Sequence, residues 1–268
     1  METGRPYSRL LARFERLSAL LPDDRLRITN LPLKLINFPA DSCIVSQGQI
    51  SSRCSLLLDG FLCSHKVVGS RRQITSFHVP GDMADLSTLY LPRVDHAITT
   101  LGPAVLAFVP HAALQEVLDQ SPRLAQTFWR ETLVQACIFQ EWVVNLGRRD
   151  ASARLAHILC ELITRLQAVG LARDLSFSMP WTQTDVADAC GISSVHANRV
   201  IQDFRHLGLV EWDSKRVKIR DWPTLVRLAN FNEDYLQFDP ARTEDPQPYA
   251  FPKPSGSDPE PVYGERSA

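Results

Sequence analysis

Short hydrophobic runs separated by turn residues fill the chain between Phe38 and Val109. One run covers Ser55–Leu58 and leads into Asp59-Gly60, and another covers Gln73–Val79 and ends at Pro80-Gly81-Asp82. Runs of this length, bounded by Gly, Pro and Asp, are typical of β-strands that follow one another through tight turns. The pattern therefore predicts a strand-rich domain built as a barrel or a sandwich.

After Pro110 the pattern changes to that of a long helix. Pro122 fits the first turn of a helix, and Leu124–Leu146 contains neither proline nor glycine. Large apolar residues, mostly four positions apart, form a stripe along one face: Phe128, Val134, Ile138, Trp142 and Leu146. The stripe either packs against the chain's own strand domain or pairs with a second copy, and the sequence leaves both explanations open. In the second case the dimer contacts are Phe128, Val134, Ile138 and Trp142.

The helical pattern breaks at Asn145–Arg149, where Gly147 permits a change of direction. We place a hinge and a domain boundary there. Asp150 fits the cap of a following helix that Gly170 ends, in which leucines recur at positions 155, 159, 162 and 166. This spacing predicts an amphipathic packing helix.

The segment Trp181–Arg220 has the pattern of two short helices followed by a β-hairpin. Thr182-Gln183-Thr184-Asp185 has the form of a capping box, Gly191 permits a sharp turn, and Ser193 fits the cap of a second helix that runs to about Leu207. Its inward side is apolar and consists of Ala197, Val200, Ile201 and Phe204. Two helices across a tight turn predict a helix-turn-helix.

Two predicted strands and their turn complete this segment as a wing. Gly208–Trp212 and Val217–Ile219 have strand character, and Asp213-Ser214-Lys215-Arg216 lies between them. Together with the helix pair they predict a winged helix.

The outward residues of the second helix suit the edges of DNA bases. Arginine can donate two hydrogen bonds to guanine, asparagine or serine can reach other base edges, and valine can contact a thymine methyl group. The predicted base contacts are Ser194, Val195, Asn198 and Arg199. Polar and cationic groups at the helix starts and in the wing suit phosphates, which position the protein without selecting a sequence. The predicted phosphate contacts are Thr182, Gln183, His196, Lys215 and Arg216.

A winged helix can also bind protein, in which case Arg199 is only a solvated surface charge. The chain would then be a small-molecule sensor whose winged helix contacts another protein. Absence of salt-dependent DNA affinity would favour this alternative over DNA recognition.

Composition describes an ordinary globular chain of roughly two domains. Of its 268 residues 44% are hydrophobic, and 29 Lys and Arg against 30 Asp and Glu give a net charge of −1. The segment 180–222 is neutral as well, so the placement of its cations must decide nucleic-acid binding. No run approaches the ~20 apolar residues of a membrane span, and Met1–Arg16 lacks a signal peptide's apolar run, so we expect a cytoplasmic protein without membrane partners.

Motifs for covalent chemistry are missing from the sequence. There is no C-x-x-C, G-x-S-x-G, P-loop or G-x-G-x-x-G motif, and the six cysteines have no recognised metal-ligand spacing. We therefore expect neither an enzyme nor a metal protein. An enzyme that used the strand domain's cavity would depend on scattered residues, namely His65, His78, Asp85 and His96. Cys190, beside the predicted turn, is either a redox-sensitive thiol or a buried cysteine.

The order of these parts, with the segment from Trp181 through Cys190-Gly191-Ile192-Ser193 to Arg199, resembles the CRP/FNR family of transcription regulators. The resemblance covers Leu33 to Tyr235. It implies an α+β fold: a jelly-roll-like, cyclic-nucleotide-binding-type β-roll, a long dimerisation helix and a winged helix-turn-helix. It further implies a homodimer on double-stranded DNA and RNA polymerase as a partner. The expected segments are a helical N-terminus (1–32), the β-roll (33–120), the dimerisation helix and hinge (121–147), the DNA-binding domain (148–236) and a disordered Pro-rich tail (237–268).

The chain departs from that family's nucleotide-binding pattern, a Gly-Glu-Leu stretch followed by Arg-Ser. The corresponding stretches are Ala84-Asp85-Leu86 and Asp95-His96, and Asp95 would place negative charge near a phosphate. Cyclic AMP is therefore not expected, and with no cysteine before Cys43 an iron–sulfur cluster is not expected either. The β-roll is expected to take an unidentified signal at residues that remain candidates for its pocket: Gly81, Asp82, Asp85, Arg93, Asp95 and His96.

Overall fold

The N-terminal half of the protein is a β-roll made of two antiparallel sheets. The structure, a computed structural model, describes residues 6–213 and 215–238. The strands of the roll are β1 (Lys34–Phe38), β2 (Cys43–Val45), β3 (Arg53–Asp59), β4 (Leu62–Val68), β5 (Arg71–His78), β6 (Ala97–Thr100) and β7 (Ala104–Pro110). They pair in the orders β1-β7-β3 and β2-β6-β4-β5. This confirms the predicted strand-rich domain.

The two sheets of the roll enclose an apolar core. Strand residues alternate between this core and solvent, as β6 shows, where Ile98 and Thr100 are buried and their neighbours are partly exposed. Leu57, Leu62 and Leu106 face one another between the sheets, and none of the three is accessible to solvent. The hairpin β4–β5 belongs to the second sheet, and its strand β5 contacts α6 of the C-terminal half.

Five helices surround the roll and lead out of it. They are α1 (Ser8–Leu17), α2 (Pro22–Thr29), α3 (His111–Gln120), α4 (Pro122–Arg148) and α5 (Ala151–Ala168). The Ser121 hydroxyl accepts a hydrogen bond from the amide of Leu124 and Pro122 occupies the first turn, so the start of α4 is as predicted. The helix α4 continues through Gly147 to Arg148, and the chain turns at Arg149-Asp150, at the C-terminal end of the predicted break.

The C-terminal half is a winged helix. It consists of β8 (Ser176–Ser178), α6 (Gln183–Cys190), α7 (Ser194–His206), β9 (Val210–Trp212), β10 (Arg216–Ile219) and α8 (Trp222–Ala229), with sheet order β8-β10-β9. The two helices and two wing strands were predicted; β8 and α8 were not. Ser214 of the predicted wing turn, and residues 239–268 of the predicted tail, lie outside the described residues.

One hydrophobic core joins the two halves of the chain. It runs from Phe77 of β5 through Ile138 and Trp142 of α4 and Leu159 of α5 to Phe204 of α7. Because the roll, the long helix and the winged helix share this core, the winged helix is held in a defined place against the roll. Among the described residues no helix combines the length and the hydropathy that a bilayer crossing requires.

Candidate DNA-binding surface and effector domain

A complete capping box fixes the first helix of the helix-turn-helix. The Thr182 hydroxyl accepts from the Asp185 amide at 3.1 Å, and the Asp185 carboxylate accepts from the Thr182 amide at 2.8 Å. Gly191 ends α6 in the left-handed conformation, with φ of +64°, and a Cβ there would lie 3.3 Å from Leu146 of α4. The sharp turn and the close approach both favour glycine.

The second helix, α7, is capped by Ser193, whose hydroxyl accepts from the His196 amide at 3.2 Å. Its buried side consists of Ala197, Val200, Ile201 and Phe204, as predicted. The opposite side carries the four predicted base contacts, which we call the recognition face: Ser194, Val195, Asn198 and Arg199. Three of these are exposed and Asn198 is half-buried.

The predicted phosphate contacts lie at the start of α6, on α7 and in the wing. Gln183 Nε2 donates to Asn198 Oδ1 at 3.1 Å, which joins the start of α6 to the recognition face. The Thr182 hydroxyl also donates to Asp185 at 2.7 Å, so its hydrogen is used within the capping box. In the wing, the backbone amides of Lys215 and Arg216 both donate to Asp213 Oδ1. Both residues are exposed, and Arg216 Nε also donates to Ser176 Oγ at 2.8 Å.

The six predicted pocket residues have different surroundings in the structure, and the effector site stays a prediction. Gly81 and Asp82 belong to a junction with α1 and α5, described below. Asp85 is buried and accepts from the Ser55 amide of β3 at 2.6 Å; burial raises its pKa to about 6. Arg93 and Asp95 are exposed: Arg93 donates to the Gly48 carbonyl, and Asp95 accepts from Lys66 Nζ at 2.8 Å. His96, whose side chain is 17% exposed, contacts Asp95 through Nδ1 at 2.7 Å.

The Asp95 cluster is a poor match for a nucleotide phosphate. Hydrogen bonds from Lys66 and His96 lower the pKa of Asp95 to about 2, so this carboxylate is ionised at neutral pH. Its negative charge repels a phosphate, and it pairs with the ammonium group of Lys66.

A buried ionic network joins four elements at the centre of the molecule. Arg13 of α1 contacts Asp82 at 3.0 Å and Glu131 of α4 at 2.8 Å, and Arg165 of α5 contacts Asp82 at 2.6 Å and Glu161 at 3.0 Å. Burial alone would raise the pKa of Asp82, but the charges of Arg13 and Arg165 more than offset this and lower it. Asp82 therefore links the roll to α1 and α5.

Residues of β5 hold the first helix of the helix-turn-helix directly. Arg72 donates from Nη2 to Asp185 at 2.5 Å and from Nε to Asp188 at 2.6 Å. Gln73 Nε2 donates to the Asp188 carbonyl at 2.7 Å. Asp185 thus contacts the β-roll through Oδ1 and completes the capping box of α6 through Oδ2. We call these four residues the interdomain clamp.

The predicted dimer stripe on α4 is buried within the chain itself. Phe128, Val134, Ile138 and Trp142 pack into the protein's own cores, so this set is corrected: these side chains cannot form a seam with a second copy. A different apolar face of α4 is exposed, and its members are Trp129, Leu133, Phe139, Val143 and Val144. We call it the outer face of α4.

The alternatives that need chemistry at a histidine or a cysteine receive no support. Ser64 Oγ lies 2.8 Å from His78 Nε2, but His78 Nδ1 is 4.0 Å from Asp82, and burial lowers the pKa of His78 to about 3. All three side chains are buried. Burial also raises the pKa of the Cys190 thiol to about 12, which disfavours the reactive thiolate. In the described part of the chain no cluster of His, Cys, Asp or Glu is arranged to hold a metal ion.

The fold and these surfaces define a class of protein: a β-roll joined through a long helix to a winged helix-turn-helix. Comparisons with known proteins agree with this class. The family profile of the cyclic nucleotide-binding domain matches residues 35–121, and that of the Crp-like helix-turn-helix domain matches residues 153–228. With both domains in this order, the chain belongs to the CRP/FNR family of transcription regulators.

Individual relatives are distant. The chain is 26% identical over 166 residues to the anaerobic regulatory protein of Aggregatibacter actinomycetemcomitans, covering 62% of this chain and 64% of that protein. It is 26% identical over 184 residues to the transcriptional activator protein FnrA of Stutzerimonas stutzeri, covering 68% and 75%. The chain thus spans just under two thirds of the length of the first relative. The structure of FixK2 from Bradyrhizobium japonicum matches its fold with a TM-score of 0.68 at 22% identity, covering 74% of this chain and 98% of FixK2.

Proposed function

We propose that this protein is a homodimeric transcription regulator that recognises a specific DNA sequence through α7. The observation that carries the proposal is the recognition face: a capped helix with an apolar inner side presents serine, valine, asparagine and arginine outward at its N-terminal half. This is the end of a recognition helix that contacts base edges in the major groove. No covalent step is proposed, and the proposed location is the cytoplasm, where a bacterial chromosome lies.

The outer face of α4 supports the proposed homodimer. Trp129 is 65% exposed and Val143 is 71% exposed on a helix whose other side is buried, so a contiguous apolar strip is left in water. Such a strip is the kind of surface that a protein partner covers. A second copy of the same helix would bury it and would place two recognition helices on one DNA duplex. RNA polymerase remains an expectation from the family resemblance.

The interdomain clamp and the Arg149-Asp150 turn suggest how a signal in the β-roll could reach the DNA-binding domain. A signal that moves the β4–β5 hairpin would move Arg72, and with it the start of α6. A ligand can shift the equilibrium between two conformations only if it binds one of them more tightly than the other. The proposed signal therefore binds the roll differently when the clamp is closed and when it is open.

Substitution of Arg199 tests the proposed function. An operator is first selected from random DNA with the purified full-length chain, and binding is then measured against salt concentration. Arg199→Ala should weaken specific binding by ~1–3 kcal/mol, about 5- to 150-fold, relax the preference at one base pair of each half-site and spare non-specific binding. Arg227→Ala, which removes the same charge from α8, is the matched control and should change nothing.

Two outcomes would contradict the proposal. If the wild-type chain shows no salt-dependent affinity for DNA, the winged helix does not bind nucleic acid and the protein-contact alternative is favoured. If the wild type binds specifically but Arg199→Ala keeps the full preference at every position, the recognition face is assigned to the wrong residues.

A further inference from the structure

Val195 is an exposed apolar side chain among polar neighbours at the start of α7. It is 74% exposed, whereas the other apolar residues in the first two turns of the helix are buried. Valine is not a strong helix former, and this side chain lies outside the hydrophobic core beneath the helix. Neither local helix stability nor packing accounts for its presence, although the position is central to the recognition face.

The residues around Val195 limit which groups on the base edges its side chain can contact in a major groove. Val195 and Arg199 are one helical turn apart, so their side chains are neighbours about 5–6 Å apart. No carboxylate occurs in Ser194–Ile201, so the amino group of cytosine finds no carboxylate acceptor on this part of α7. An apolar group at this place has one specific complement among the base edges, the 5-methyl group of thymine.

We propose that Val195 is a specificity-determining residue that contacts the methyl group of one thymine in each half-site. Because successive base pairs are about 3.4 Å apart, that thymine lies within about two base pairs of the guanine that Arg199 recognises. The inference rests on the proposed function and deepens it. It adds a specific expectation about the operator, a guanine and a nearby thymine contacted by two side chains on adjacent turns.

Replacing thymine by deoxyuridine tests the contact, because it removes the methyl group and leaves all hydrogen-bonding groups in place. Each thymine of the selected operator is replaced in turn, in both half-sites, and the affinity of the full-length dimer is measured. Wild type should lose about fourfold in affinity per half-site at one thymine position, which corresponds to ~0.8 kcal/mol per methyl group. Val195→Ala should bind the thymine and the deoxyuridine operators equally well.

The control variant is Leu207→Ala. Leu207 is 71% exposed and follows the last turn of the same helix, away from the recognition face, so this variant should keep the wild-type response to deoxyuridine. Thermal melting followed by circular dichroism confirms that both variants are folded; exposed side chains at these positions should leave the melting temperature unchanged.

The outcomes separate this inference from the proposed function. If wild type binds its operator specifically but no thymine methyl group matters, or if Val195→Ala responds to deoxyuridine as wild type does, the thymine contact is refuted and DNA recognition stands. If no operator can be selected, the proposed function itself fails. The thymine whose methyl group affects binding should also lie near the guanine for which Arg199→Ala loses its preference. If the two bases are more than three base pairs apart, the assignment to Val195 is refuted.

Discussion

Asp82 and Asp95 lie close together in the sequence, were both predicted to face an effector, and have opposite surroundings. Asp82 is 1% exposed and is held by two guanidinium groups, from Arg13 and Arg165. The side chain of Asp95 is 74% exposed and pairs with Lys66 at the surface. Loss of the ion pairs of Asp82 should therefore cost more folding stability than loss of the Asp95–Lys66 pair, because solvent screens the exposed pair and not the buried ones.

Asp82→Ala should therefore destabilise the protein strongly. Removing one partner of a buried ion pair leaves the other charges uncompensated, which costs ~3–5 kcal/mol. Urea unfolding of the purified protein measures the effect. Asp95→Ala is the matched control, an exposed aspartate whose loss should cost no more than ~1 kcal/mol. Equal and small losses for the two variants would show that Asp82 does not hold the junction.

The sequence predicted those residue roles that depend on near neighbours. The capping box of Thr182 and Asp185 and the cap of Ser193 involve residues three positions apart, so a local pattern reveals them. The ion pair of Arg165 with Asp82 spans 83 positions and that of Arg13 with Glu131 spans 118, and no local pattern indicates them. Asp82 was therefore placed in an effector pocket because its partners could not be predicted.

Among the elements, the long helix α4 has two apolar faces, one buried and one exposed. One face, which includes Ile138, is fully buried in the chain's own core, and the other, which includes Val143, is 71% exposed at that residue. The sequence showed the first face because its residues are regularly spaced. It could not show that this face is already covered by the roll and α5, since that depends on packing between distant segments.

Val143→Asp should separate the proposed dimer without unfolding the chain. A charge buried without a partner at a helix pair costs several kcal/mol, so dimer affinity should fall at least about a hundredfold. Sedimentation at several protein concentrations measures this. Leu207→Asp, at an equally exposed apolar residue outside α4, is the control and should leave the mass unchanged. A wild-type chain that stays monomeric at all concentrations, or a Val143→Asp chain that stays dimeric, would contradict the proposed interface.

Arg72→Ala should loosen α6 from the roll. The substitution removes charged hydrogen bonds to Asp185 and Asp188, and one such bond is worth ~1.5 kcal/mol or more. Hydrogen exchange of the amides in Gln183–Cys190 should become about tenfold faster. Lys66→Ala, which breaks a surface pair on the neighbouring strand, should leave α6 unaffected. Unchanged exchange in Arg72→Ala would show that the clamp does not hold the helix.

The sequence predicted the main helices and strands better than it predicted where they end, and it did not reveal the short strand β8. Strong periodicity and caps indicated α4, α5, α6 and α7, and the turn residues indicated the strands of the roll. Gly147 was predicted to break the long helix, but it remains helical within α4, which ends at Arg148. The strand β8 has only three residues and pairs with β10, which lies about forty positions later, so its own sequence carries little signal.

At the scale of the whole molecule, the net charge of −1 limits how DNA can be bound. A nearly neutral protein gains little from general attraction to phosphate, so we expect modest non-specific affinity. Selectivity must then come from a few base contacts repeated in each half of a dimer. The near-neutral composition is therefore compatible with DNA recognition when the cations lie on the recognition face and the wing.

The central claim is that two copies of α7 recognise one DNA duplex. Selection from random DNA with the purified full-length protein, followed by sequencing, tests it most directly. We expect an inverted repeat whose half-site centres are 10–10.5 base pairs apart, or about 34–36 Å, or a multiple of that spacing. A single motif without two-fold symmetry, or no enrichment over the starting pool, would contradict it.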